Sequence, residues 1–487
     1  MFKLNEDILY LISKELKELQ NIETLLSCLT VNKVWCEITV PILWEDPWKY
    51  SKGNDLLLNV IISHLSDESR KNLLSKGVDF LTNYQRPFFD YISFCKYLNF
   101  INLNELISAI DIHDKDIFLI VKKEIINLFI NENTRFSHLY IPYQFDYQLH
   151  HIPEAKSCFS ELEFLSCSTS IKNDILFGII EICKSIKELE FIIEKGSNYE
   201  IVKLVKTPKK LFKVHLLTKW SSIESDEPFC KILENSLIKH ANTIQNFKIT
   251  NNQPTTKILS YLTNLNRLEL DGIAYRGMWR YLEDLSLPFL QSLKTRCVPI
   301  QGLTSIIKNT NGSLNEISIG YIHHDEIGNE KIIQTIYQKC LNLKYLKLTV
   351  RNRNILEFEK LLNNCQYIDG LCIIIDNDIW FNNKFNWELL FEVLIRSSPT
   401  NLFKFYFHKP PKFKSLKSFF DDWKGKRSML LQIIQDNSFG ICNEIEMQYF
   451  DLLEEYKAQG IIKKYDYNHL LRKSITFEDF EWIQENI

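Results

Sequence analysis

Glycine is scarce, and so is any excess of charge. Fourteen glycines in 487 residues leave little for phosphate-cradling loops, and neither G-x-x-x-x-G-K-[ST] nor G-x-G-x-x-G occurs. H-E-x-x-H and G-x-S-x-G are missing too. The twelve cysteines include no C-x-x-C pair. They are scattered through apolar positions, as the core cysteines of a reducing compartment are. No apolar run approaches the roughly 20 residues of a membrane span. The stretch MFKLNEDILY carries acids where a secretory signal needs an apolar core. The expected setting is cytoplasmic or nuclear, with no membrane partner. A formal net charge of −3 gives no electrostatic case for nucleic acid. No cofactor and no enzymatic activity are expected.

What is present is ordinary globular composition, 45% hydrophobic and 24% charged. The length suits two to four domains or one long repeat array. The first forty-eight residues read as three short helices. Asn5 is placed to cap the first, and Glu6 and Asp7 suit its positive end. Ile8, Leu9, Ile12, Leu16 and Leu19 fall on one helical face. Ile22, Leu25, Leu26 and Leu29 mark the second helix, and Val31, Val34, Trp35 and Ile38 the third. Pro41 limits its continuation. So small a segment has a weak core yet is more apolar than three helices need. It is either a cap docked on the next domain or a module whose spare face takes a partner.

The order of these residues resembles an F-box. The resemblance rests on Leu4-Asn5-Glu6-Asp7-Ile8-Leu9, Ile12, Leu16, Leu25 through Cys28, Val31-Asn32-Lys33-Val34-Trp35 and Leu43-Trp44, about a tenth of the chain. Asn5 stands where the family pattern has proline. The resemblance implies a module that binds the Skp-type adaptor of a Skp–cullin–F-box ubiquitin ligase. The residues it implies for that contact are Leu4, Asn5, Ile8, Leu9, Val31 and Trp35, with Trp44 partly core.

Residues 49–134 read as a helical spacer, with helices near 56–65, 67–74, 103–110 and 117–130. From Phe136 a motif recurs: apolar, two variable residues, apolar, one variable, apolar. Examples are Phe136/Leu139/Ile141, Leu162/Leu165/Cys167, Leu343/Leu346/Leu348 and Leu402/Phe405/Phe407. Leu290/Leu293 is imperfect, with Thr295 in the third slot. The first positions recur mostly every 24–26 residues, within the period of leucine-rich repeats. Two longer steps place insertions at 217–243 and 374–401. Helix-like stretches lie between the triplets. The expected fold class is α/β: a three-helix N-terminal module (1–48), the helical spacer (49–134), and a solenoid over 135–410 with a parallel concave sheet and outer helices. A terminal cap follows over 411–487. In that cap Leu416–Ile434 and Ile441–Tyr456 read as helices, Gly460 as a helix stop, Ile461–Tyr465 as a strand and Phe477–Ile483 as a last helix. This part resembles leucine-rich repeats, without a regular Asn or Cys after the third apolar residue.

Residues flanking the inward positions are expected to face outward across the sheet. They include His138, Tyr140, Glu188, Glu190, Glu269, Asp271 and Glu316. The cations and aromatics among them, Lys213, His215, Lys248, Arg267, Lys294, Arg296, Tyr345, Lys347, Lys404, Tyr406 and His408, are the candidate target-binding residues. A mostly basic later face suits an acidic partner. His150-His151 and His323-His324-Asp325-Glu326 read as loops rather than metal sites. The expected function is substrate recognition for a cullin ligase. The alternative is a leucine-rich-repeat interaction scaffold without a ligase role.

Overall fold

The computed structural model describes residues 5–18, 22–49, 54–78, 86–110, 114–219, 226–272, 279–320, 326–375, 385–436 and 443–470. The chain divides into two compact units, Met1–Ser236 and Leu237–Ile487.

The first unit opens on α1 (Glu6–Glu18), α2 (Ile22–Cys28) and α3 (Lys33–Trp44). Val31 lies in the turn before α3 rather than on it. Asn32 ends that turn by accepting a hydrogen bond from the Trp35 N–H at 3.1 Å. Pro41 does not stop α3, which runs three residues past it. Its neighbours Val40 and Ile42 are buried in the module, and that packing outweighs the lost backbone bond. Helices follow over Asn54–Ser63, Asp67–Leu74, Phe100–Ser108 and Lys115–Phe129. The last three are capped by Ser66, Asn99 and Asp114, whose side-chain oxygens accept from first-turn N–H groups.

Five described strands complete this unit: β1 (Tyr97–Asn99), β2 (His138–Ile141), β3 (Phe164–Ser168), β4 (Glu188–Ile193) and β5 (Lys213–Thr218). They pair in chain order and every pairing is parallel. The register is the one the triplets predict. Leu98, Leu139, Leu165, Leu189 and Val214 stand opposite one another, as do Ile141, Cys167, Phe191 and Leu216. All are buried. The strand at 97–99 lies within the stretch read as helical spacer. Its own triplet, Cys95/Leu98/Phe100, is fully buried, so the first rung precedes Phe136.

The second unit carries nine described strands: β6 (Asn246–Thr250), β7 (Arg267–Asp271), β8 (Ser292–Arg296), β9 (Glu316–Ile319), β10 (Tyr345–Val350), β11 (Gly370–Ile375), β12 (Lys404–Phe407), β13 (Met429–Asp436) and β14 (Ile462–Leu470). These too pair parallel and in chain order. Phe247, Leu268, Leu293, Ile317, Leu346, Leu371, Phe405 and Leu431 form one buried row across them. Helices such as Ile300–Lys308, Glu326–Lys339, Ile355–Asn364 and Trp387–Ser397 return the chain between strands. Each strand–helix rung covers the apolar edge of the next, which is how a leucine-rich-repeat-type array closes its core.

Near the C-terminus the expected helix over Leu416–Ile434 is instead a helix, Phe413–Asp422, followed by β13. Gly425 at φ +85° lies between them. Met429, Leu431 and Ile433 alternate into the core, a period of two that apolar, buried Leu430 and Ile434 on the other face disguise. Gly460 does stop the helix Asn443–Ala458, at φ +76°. Phe477–Ile483 lies outside the described residues.

Candidate functional site: an apolar helical face and a keyed sheet

Two surfaces carry the residues singled out in the sequence. On the N-terminal helices, α1 packs on α3. Ser13 and Thr39 meet as buried hydroxyls at 3.4 Å. Lys17 donates to the Ile42 carbonyl at 2.9 Å and to Glu45 Oε2 at 2.5 Å. Leu9, Leu25, Cys28, Val40 and Ile42 fill the small core. Leu9 is therefore not a partner-facing residue: it is 4% exposed, on the same side of α1 as Ser13 one turn later. Ile8, Leu11, Ile12, Leu26 and Val31 remain outside, Leu11 and Val31 at 58% and 59% exposure. Ile8, Leu11 and Ile12 share one face of α1 by their i, i+3, i+4 spacing. Asn5 is exposed at the start of α1. Its carbonyl accepts from the Ile8 and Leu9 N–H groups, and its amide donates to Asp7 at 3.5 Å. Trp35 is half-buried. Leu4 lies outside the described residues.

The other side of the module is fixed to the first rung. The Glu45 carbonyl accepts from Lys96 N–H at 2.9 Å and Tyr97 N–H at 3.2 Å. The Trp48 indole donates to the Tyr97 carbonyl at 2.7 Å and packs on Phe129. Trp44 packs on Tyr91, ring centroids 4.5 Å apart. The three helices thus dock on their own chain through α3 and leave apolar side chains of α1 and α2 in solvent.

The second surface is the polar face of the sheet. In the first unit His138 is stacked between Tyr97 and Phe164, at 3.9 and 5.2 Å, and burial pushes its pKa down. Lys213 pairs with Glu188 at 3.1 Å. His215 Nδ1 lies 3.2 Å from Glu190, which also accepts from Ser166. Glu194 holds Lys219 at 2.7 Å and accepts from Ser168 at 2.6 Å. In the second unit Lys248 pairs with Glu269 at 2.8 Å. Arg296 grips Asp271 with two bonds of 2.5 and 2.6 Å. Glu316 lies 3.3 Å from Lys294 and 3.8 Å from Arg267, and accepts from Ser292 at 2.7 Å.

A basic later face is not what forms. Lys213, His215, Lys248, Arg267, Lys294 and Arg296 each meet a carboxylate of a nearby rung. Lys294, Lys347, Lys404 and Tyr406 are buried, which removes them from a target-contact surface. Tyr406, Cys372 and Ile434 form a closed apolar cluster with Tyr345 against it. The side chains there are large enough to meet across adjacent strands, which lie about 4.8 Å apart. The Lys404 ammonium sits 5.0 Å over the Tyr345 ring. Burial pushes its pKa down to about 8. His408 is half-buried at the end of β12.

The acids that key the rungs carry a signal in the sequence. Glu188 and Lys213, Glu190 and His215, Glu194 and Lys219, and Asp271 and Arg296 are each one 25-residue repeat apart. Glu194 and Lys219 fall just past the strands expected from the triplets, and only the repeat spacing points to them. The His150 and His151 rings lie 4.1 Å apart, tilted by 43°, and His150 lies against Gly178, where an added Cβ would come within 2.0 Å of its Nδ1. His323, His324 and Asp325 lie outside the described residues, and Glu326 pairs with Arg353 at 2.7 Å. Among the described residues no His, Cys, Asp and Glu cluster could hold a metal ion, and no helix is long and apolar enough to cross a membrane.

No protein-family model matches the chain, and no curated protein matches it. Among solved structures it is similar to the leucine-rich repeat-containing protein LegL7 from Legionella pneumophila, at 14% identity and a TM-score of 0.29. The match covers 69% of this chain and 95% of that one.

Proposed function

We propose that the chain is a protein-binding repeat scaffold that serves as the substrate receptor of a Skp–cullin–F-box ubiquitin ligase. The observation that carries this reading is the division of labour in α1–α3. Leu9, Leu25 and Ile42 already complete the module's core, yet Ile8, Leu11, Ile12, Leu26 and Val31 stay exposed. Apolar side chains so concentrated suit a partner helix or groove. The order of residues resembles an F-box, which makes a Skp-type adaptor that partner. The repeat array then holds a target protein, and the ligase acts by raising the effective concentration of target lysines. On this reading the array binds and does no chemistry.

The test is co-elution of the purified chain with a Skp-type adaptor on size-exclusion chromatography. The variant Ile8→Asp should weaken that complex by about 2 kcal/mol, roughly 30-fold. Ile8 is already exposed, so the folded state should be unaffected. Absence of a complex with the unaltered chain sinks the ligase reading. A second reading, a scaffold without a ligase role, draws on the anchoring of α3 to β1 through Glu45 and Trp48. It requires that Ile8→Asp leave every partner of the chain bound.

A further inference from the structure

One groove is unlike the ion-paired faces. It has a volume of about 450 Å³ and lies in the second unit, along the edge where β6–β9 begin. Nine residues line it and none is ionisable; six are Asn or Gln. Gln245, Asn266, Gln291 and Asn315 occupy the same place on four successive rungs, the residue just before each strand. Their backbones are joined in a ladder, Asn266 N–H to Gln245 O at 2.8 Å, Gln291 to Asn266 at 2.8 Å and Asn315 to Gln291 at 2.9 Å. Asn264 spends its amide on the Asn242 carbonyl at 2.8 Å. Among the described residues, no side-chain hydrogen bond occupies the amides of Gln245, Asn266, Gln291 or Asn315. Phe289 stands in the groove 58% exposed.

The same place on neighbouring rungs is filled differently. In the first unit it holds Glu163 and Lys187, which pair with each other at 2.5 Å. Beyond β9 it holds Lys344 and Asp369. The amides are therefore confined to four consecutive rungs.

We propose that this groove binds a neutral carbohydrate chain. A primary amide both donates and accepts, and so does a sugar hydroxyl. A lining without cations offers nothing to a phosphate or sulfate. Phe289 supplies an apolar plate for the C–H face of a pyranose ring. The amides repeat at the strand spacing of about 4.8 Å, close to one ring of a β-linked chain per rung. An extended peptide presents same-side groups about every 7 Å, out of step with that repeat. The inference is independent of the adaptor reading, which concerns the other unit.

The experiment is calorimetric titration of the full chain with hexasaccharides of β-1,4-linked glucose and of β-1,4-linked N-acetylglucosamine. A sulfated heparin hexasaccharide and a neutral Ser/Thr-rich decapeptide serve as comparators. At least one neutral sugar should bind with a dissociation constant at or below about 1 mM. Asn266→Ala and Gln291→Ala should each weaken it roughly 3- to 10-fold, and Phe289→Ala about tenfold. All three residues are at the surface, and unchanged melting curves would show that the rungs remain folded. Lack of binding by both neutral sugars overturns the proposal. So does binding indifferent to all three substitutions, and so does tighter binding of heparin or the peptide.

Discussion

Replacing Glu316 by leucine should cost the second unit about 3–5 kcal/mol, the usual cost of removing one partner of a buried ion pair. The Glu316 and Lys294 side chains are both nearly inaccessible, and Nζ and Oε1 lie 3.3 Å apart. At an effective dielectric constant near 20 their attraction is about 5 kcal/mol. Desolvation of both groups offsets most of it in the folded protein. Removing the acid leaves the lysine's desolvation cost in place and takes away its offset. Ser292 also loses its acceptor, worth about 1 kcal/mol. Arg267, 3.8 Å away and half in solvent, adds less than about 1 kcal/mol. The double variant Lys294→Met, Glu316→Leu should recover most of the loss, because apolar side chains of similar size suit the site. The assay is urea unfolding of the four proteins of the cycle. Native-state hydrogen exchange at the β8 and β9 amides should accompany it, because a repeat array need not unfold in one step. A loss below about 1 kcal/mol in Glu316→Leu, or a double variant as unstable as the two single losses combined, would refute the reasoning.

Two further perturbations test the same interior. Thr295 is fully buried in the third triplet slot of β8 and its hydroxyl has no partner, so Thr295→Val should stabilise the unit by about 1 kcal/mol; a lower urea midpoint would contradict this. Lys404 has its folded pKa held near 8, below the ordinary lysine value, so the unfolded chain binds the proton more tightly between about pH 8 and 10.4. Its burial penalty is in full force below pH 8 and fades as pH rises through that window. Lys404→Met should therefore stabilise most at pH 7, by up to about 3 kcal/mol, and little near pH 10.5; an advantage that does not change with pH would count against it.

The rungs were legible because their cores are local in sequence. Leu139, Leu165, Leu189 and Val214 each sit in a six-residue triplet, and stacking at a constant pitch turns that spacing into register. Thr295 kept its place in the row although it broke the pattern, since the neighbours on either side hold it there. The strand at 429–436 was hidden because Leu430, Ile434 and their neighbours are apolar on both faces, which erases alternation. The fate of the polar face could not be read strand by strand. Whether Lys404 reaches solvent depends on Tyr345 two rungs earlier, and whether Lys294 is a free cation depends on Glu316 one rung later. In the N-terminal module, Leu9 and Ile8 are adjacent in a single apolar stripe, and only the position of α3 decides which of them turns inward.

The ion pairs between successive rungs have a consequence for how such an array can grow or shrink. Acids on β4 meet bases on β5, and Asp271 on β7 meets Arg296 on β8. Copying β4 alone would set carboxylate beside carboxylate, and deleting β8 alone would strand Asp271. Copying β4 and β5 together keeps the partners matched. At this place in the first unit, added material is therefore tolerated as the β4–β5 pair and resisted as β4 alone.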